Sequence, residues 1–234
     1  MVHAARSTLD RQLRELQDRL LVMGSLVQKA IDSSVRALKE RDPALAEAVI
    51  RNDDEIDRHR TELEEQAVQL IATQQPMARD LRMIIAALHI ATDLERMGDH
   101  AEGIAKLARS LLEEPPLKPL IDIPRMAELS IEMLHRVLRA FVERDPTAAR
   151  QVWYQDDEVD ALRSQVYHEL LLFMLQDPRT IRRATYLIWV AHGLERIADH
   201  ATNIAEQVIY LETGAAADMR RQPPSASAAA PGPA

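Results

Sequence analysis

Short segments of this chain return after about a hundred residues, and no other feature limits the possible folds as much. Glu40-Arg41-Asp42-Pro43 recurs as Glu143-Arg144-Asp145-Pro146, and Asp53-Asp54-Glu55-Ile56-Asp57 recurs as Asp156-Asp157-Glu158-Val159-Asp160, both displaced by 103 positions. Leu94-Glu95-Arg96-Met97-Gly98-Asp99-His100-Ala101 returns as Leu194-Glu195-Arg196-Ile197-Ala198-Asp199-His200-Ala201 at a displacement of 100, so three residues are lost in the turn between the second and third segments. A repeat of this length is too long for the 33 to 47 residues of a helical solenoid unit. It predicts two homologous bundles of three helices each.

The twelve prolines divide the chain into long proline-free stretches, and each stretch can be one helix because proline is tolerated only in a helix's first turn. Apolar residues recur within them at a period near 3.6, as in Leu45, Val49, Ile56, Leu63, Ala67 and Leu70. Six helices are expected, spanning roughly residues 8–39, 43–73, 78–112, 125–144, 146–175 and 179–213. Asp42-Pro43, Asp145-Pro146 and Asp177-Pro178 each place a capping carboxylate before a proline, a helix-start signal, and Gly214 reads as a C-terminal cap. Six glycines and the lack of Asn-Gly or Asp-Gly turns leave little room for a sheet. The reading is therefore all-α: six long helices in two three-helix repeats related by an internal pseudo-twofold. The N-terminal repeat is 1–112, a proline-rich linker is 113–124, the C-terminal repeat is 125–214, and the Ser/Ala/Pro-rich 215–234 is a disordered tail.

Composition narrows the chemistry. A net charge of −8 repels nucleic acid and anionic lipid and tolerates cations. Cysteine is absent, which removes disulfides, thiolate metal sites and cysteine nucleophiles together. No N-terminal apolar core or long uncharged apolar stretch marks a leader or membrane span, so the expected location is cytoplasmic. Gly-rich phosphate loops, Gly-x-Ser-x-Gly and His-Glu-x-x-His are missing, which agrees with a protein that is not an enzyme.

Each half carries two acidic pairs at i and i+4: Asp53 with Asp57 and Glu95 with Asp99, then Asp156 with Asp160 and Glu195 with Asp199. Residues four apart share a helix face, where like charges repel. At 100° per residue, Glu95 and Asp99 continue the apolar stripe of Leu81, Ile84, Ile85 and Leu88, and Glu195 and Asp199 continue that of Ile181, Ala184 and Ile188. Carboxylates thus stand where packing residues are expected. Asp53 and Asp57, on the flank of their own stripe, can face Glu95 and Asp99 across an antiparallel neighbour. At about 5 Å and an effective dielectric near 20, each such contact costs about 3 kcal/mol, so four clustered acids call for protons, arginines or cations. All-oxygen ligation suits Mg²⁺, Mn²⁺, Ca²⁺ or Fe³⁺, and His192, three residues before Glu195, adds a nitrogen that would also suit Zn²⁺. A solvated acid face neutralised by Arg96 and Arg196 is the plainer alternative for any single pair. Matched recurrence in both halves favours cation binding. His100 and His200 lie about 100° off the acid stripe and read as supporting or surface residues.

These residues resemble the PhoU family of bacterial phosphate-uptake regulators. The resemblance rests on Glu-Arg-x-x-Asp-His at Glu95 and Glu195, Gln-Pro-x-x-x-Asp-Leu-Arg from Gln75 to Arg82, and the Asp-Asp-Glu-[Ile/Val]-Asp segments at Asp53 and Asp156. It implies metal on the paired motifs, iron foremost, with zinc, manganese, magnesium, calcium or nickel as other occupants. It also implies a homodimer and negative regulation of the phosphate-starvation response, by contact with the phosphate ABC transporter and a PhoR-type sensor histidine kinase. Contact with membranes would be peripheral, through those proteins. The ligand candidates it carries over are Asp53, Asp57, Glu95, Asp99, Asp156, Asp160, Glu195 and Asp199. Thr180 departs from the pattern, standing where the first half has Asp80. Two other readings compete: a metal-free helical adaptor with an acidic docking face, and a ferritin-like di-iron carboxylate protein, which the absence of His three residues after Glu95 or Glu195 disfavours.

Overall fold

The computed structural model describes residues 2–214, with side chains from residue 7. It is all-helical: α1 Val2–Glu40, α2 Pro43–Gln74, α3 Arg79–Leu111, α4 Asp122–Glu143, α5 Pro146–Gln176 and α6 Ile181–Thr213, with one 3-10 turn at Pro178–Thr180. Asp42 and Asp145 cap α2 and α5 as their sequence predicts, each Oδ1 accepting from two backbone N–H groups of the first turn at 2.8 to 3.1 Å. Gly214 closes α6 in the left-handed conformation, φ 71°.

Two boundaries differ from expectation. Asp177 caps the 3-10 turn rather than α6 itself, because its carboxylate is engaged by Arg179, through both its backbone N–H and its guanidinium. Thr180 then bonds back to the carbonyls of Phe173 and Asp177 and delays the helix by one turn. At the other site, α4 starts at Asp122 and not after Pro124, since a proline in the first turn forfeits no intrahelical bond.

Each repeat is an antiparallel three-helix bundle. In the first, Arg109 near the end of α3 pairs with Glu47 near the start of α2. The repeats meet through α3 against α6 and α1 against α4, and a single continuous core runs through both. On α1 the buried stripe is Leu16, Leu20, Met23, Val27 and Ile31, all inaccessible to solvent, at the three-to-four spacing that turns one face inward. Each such residue contributes about 1.5–3 kcal/mol of burial. Where α3 and α6 meet, Gly193 of α6 lies against Ile104 and the carbonyl of His100 on α3. A β-carbon at Gly193 would lie 3.2 Å from Ile104 Cγ1, so glycine there lets the two helices approach. The buried Ser130 hydroxyl on α4 is satisfied within this core, donating to the carbonyls of Met126 on its own helix and Leu194 on α6 of the same repeat.

Candidate metal centre

The antiparallel course of α2 and α3 brings the predicted acids of the first repeat together. Asp57, Glu95 and Asp99 each offer a carboxylate oxygen, and the three oxygens lie within 4.8 Å of one another. Asp53 sits one turn earlier on α2, packed against Gly98, where an added β-carbon would be 3.3 Å from its Oδ1. Burial, reinforced by the charges of Glu102, Asp99 and Asp57, pushes the Asp53 carboxyl up to about 6. Glu95 is also raised, first by burial and then by Asp99. Its Oε2 is inaccessible and accepts no hydrogen bond, although Arg96 Nε lies 3.4 Å away.

The second repeat assembles its equivalents more loosely. Burial and the charges of Asp199, Asp160, Asp157 and Glu195 push Asp156 up to about 7, and its buried Oδ1 has no partner. Asp160 and Asp199 are raised as well, burial first and Glu195 second in both. All four acids therefore sense one another. Among the described residues, however, the tight triad of oxygens belongs to the first repeat, and in the second repeat Glu195 has further partners. It accepts from His192 Nδ1 at 2.8 Å and lies 3.5 Å from Arg163 Nε. His192 thus stands at the rim with its ring 59 % exposed, next to the cluster and engaged with one of its carboxylates.

Arginine accounts for part of the charge. Arg96 pairs with Asp99 at 3.0 Å, and Arg196 with Asp199 at 2.8 Å. Arg60 on α2 lowers Glu95 electrostatically, and Arg163, 103 positions on, faces Glu195. Each repeat therefore sets four clustered carboxylates against two nearby arginines and leaves a buried carboxylate oxygen without a donor. Oxygen donors, with a single imidazole at the second site, suit a hard or borderline cation.

Sequence reasoning missed the arrangement between the two clusters. His100 and His200 meet at the repeat axis with ring centroids 5.7 Å apart. Asp93 accepts from His200 Nδ1 at 2.9 Å and from Asn203 Nδ2 at 3.2 Å. The symmetric bond to His100 does not exist because position 193 is glycine. Burial and the neighbouring His200 hold His100 down to about 4, so it is neutral at pH 7. A comparison of Leu-x-x-x-x-x-His between the repeats, aspartate at 93 against glycine at 193, is the signal that could have exposed this asymmetry.

The profile of the PhoU domain matches residues 20–108 and 123–208, once per repeat. A phosphate-specific transport system accessory protein PhoU homolog of Aquifex aeolicus is 46 % identical over 206 residues, covering 88 % of this chain and 93 % of its own length. A homolog of the same name from Rhizobium meliloti is 40 % identical, covering 89 % of each. Among solved structures, PhoU from Pseudomonas aeruginosa superposes with a TM-score of 0.84 at 37 % identity, covering 88 % of this chain and 99 % of that one. The phosphate transport system regulatory protein PhoU from Streptococcus pneumoniae gives 0.83 at 32 % identity, covering 90 % and 99 %. With the profile matched in both repeats and such relatives aligned along nearly their whole length, the chain belongs to the PhoU family.

Proposed function

We propose that this protein is a metal-loaded regulator of phosphate uptake, acting in the cytoplasm as a homodimer. In this reading it represses the phosphate-starvation response by docking on the phosphate ABC transporter and a PhoR-type sensor kinase. The names of the relatives, accessory and regulatory proteins of phosphate transport, support the role. The observation that carries the metal is the convergence of Asp57, Glu95 and Asp99 on one point. In the first repeat these three would hold the ion with Asp53 beside them; in the second, Asp156, Asp160, Glu195 and Asp199 would do so, with His192 at hand. Iron is the favoured ion. Bound there, a cation supplies positive charge that ties α2 to α3 and α5 to α6, while Arg96 and Arg196 hold Asp99 and Asp199 in place. The docking face built on those helix pairs is thereby made rigid.

Elemental analysis of protein purified without chelator tests the metal. Pull-down of the transporter's ATPase subunit and of the sensor kinase, before and after stripping the metal, tests its role. Loss of partner binding on stripping, restored by adding the ion back, is the expected result. Metal-free protein that binds both partners at full strength would instead support the acidic adaptor, with the clusters serving another purpose.

A further inference from the structure

At the junction of the two repeats lies a cavity of about 550 Å³, lined by no residue of either acidic cluster and well inside the range of small-molecule sites. Its walls come from the end of α1, the end of α3, the linker and the start of α6, so both repeats contribute. They are aliphatic, with Leu38, Leu111 and Leu187 facing the prolines and leucines of the linker, and no aromatic side chain for a nucleobase to stack on. The polar lining is of one sign: Lys39, Arg41, Lys118 and Arg183, without a carboxylate among the described residues of the wall.

Two of these cations are spoken for. Lys118 is paired with Glu169, and Arg183 Nε lies 3.3 Å from Glu114. The other two have no acid against them among the described residues. Arg41, held in the left-handed conformation at φ 58°, donates to the carbonyls of Leu111, Leu112 and Glu114. Three of the five guanidinium donors are used, which leaves two. Lys39, an exposed residue of the wall, has no ion pair among the described residues. In a chain of net charge −8, a pocket with unneutralised cations at the entrance and an aliphatic interior is matched to one chemistry.

We propose that this cavity binds a small amphipathic anion, an aliphatic chain bearing a single carboxylate or phosphate head, with the head at Lys39 and Arg41 and the chain between the linker and Leu111 and Leu187. Such a ligand would pin the linker to both repeats and so fix how they sit against one another.

Isothermal titration of the full-length protein with decanoate, decyl phosphate, decanol, decyltrimethylammonium and inorganic phosphate tests this, each below its aggregation threshold. One decanoate or decyl phosphate per chain is expected, at least tenfold tighter than the alcohol, the cation or inorganic phosphate; the tighter of the two anions identifies the head. Lys39→Glu, at an exposed position where folding is not at stake, should weaken both anions about tenfold. Leu117→Trp, which fills the cavity, should do the same, with the circular dichroism spectrum showing the fold retained. The proposal is overturned if the cation or alcohol binds as tightly as the anions, if many anions bind per chain, or if Lys39→Glu leaves binding unchanged.

Discussion

Replacing Asp156 with Asn should make the metal-free protein more stable, and the gain should depend on pH in a defined direction. Asp156 rises to about 7 from an ordinary 3.8, mainly through burial and next through Asp199. A folded-state value above the unfolded one means that folding takes up a proton between those two limits. The native state of the wild type is therefore penalised in full above pH 7, and the penalty fades as the pH falls from about 7 towards about 4. The difference corresponds to about 4 kcal/mol at most; the residue is only half-buried, and solvent screening reduces this to about 2 kcal/mol. Asparagine keeps the shape, cannot ionise, and offers an N–H to the surrounding carboxylates. In chelator at pH 8, Asp156→Asn should gain about 2 kcal/mol, or about 4–8 °C in Tm for a chain of this size, and less than half of that at pH 5. Adding a divalent cation should reverse the ranking, since a ligand that binds only the native state stabilises the wild type more. Differential scanning calorimetry of both proteins from pH 5 to 8, with and without the ion, supplies the numbers. A Tm difference that is independent of pH, or a less stable variant in chelator at pH 8, would refute the reasoning.

Three further outcomes follow from the same geometry. The double substitution Glu95→Ala with Asp99→Ala should remove the cation from the first repeat and leave the second loaded, read as a partial fall in bound metal by mass spectrometry; unchanged stoichiometry would dissociate the triad from metal binding. Arg41→Ala frees three carbonyls at the end of α3 and in the linker, and should cost about 1–3 kcal/mol in urea unfolding while raising hydrogen exchange over residues 112–120; protection left intact there would mean that the linker is held by its own packing. Gly98→Ala introduces a β-carbon 2.9 Å from Ile56 Cδ1 and 3.3 Å from Asp53 Oδ1, which should cost about 1 kcal/mol and shift Asp53, whereas Ala198→Gly in the second repeat should cost about 1–2 kcal/mol through backbone entropy and the loss of a buried methyl; a stabilised Gly98→Ala would show that Ile56 can move aside freely.

Helix number and order were legible because the cues were local: the Asp-Pro starts at Asp42 and Asp145, the glycine end at Gly214, and apolar spacing between them. Boundaries failed where side chains compete with the backbone, as Asp177 and Thr180 do. The facing of Asp57 towards Glu95 and Asp99 could be derived because two antiparallel helices joined by a short turn have one register. That Arg60 and Arg163 would approach Glu95 and Glu195 could not, since long side chains reach across several turns and their rotamers leave no mark in spacing. The meeting of His100 with His200 depends on how the two repeats dock, which no pattern within one helix encodes.

Gly193 carries a consequence for the history of the chain. If the two repeats descend from one ancestral unit, an early symmetric form had the same residue at positions 93 and 193. Two aspartates would bring a side chain against Ile104 on one side, and two glycines would leave both histidines unheld. The present arrangement needs one of each. Divergence at this pair therefore allowed closer docking on one side of the axis and a polar latch on the other. The halves are no longer interchangeable: a chain made of two first repeats should dock poorly, although each half would still spell out the same three helices.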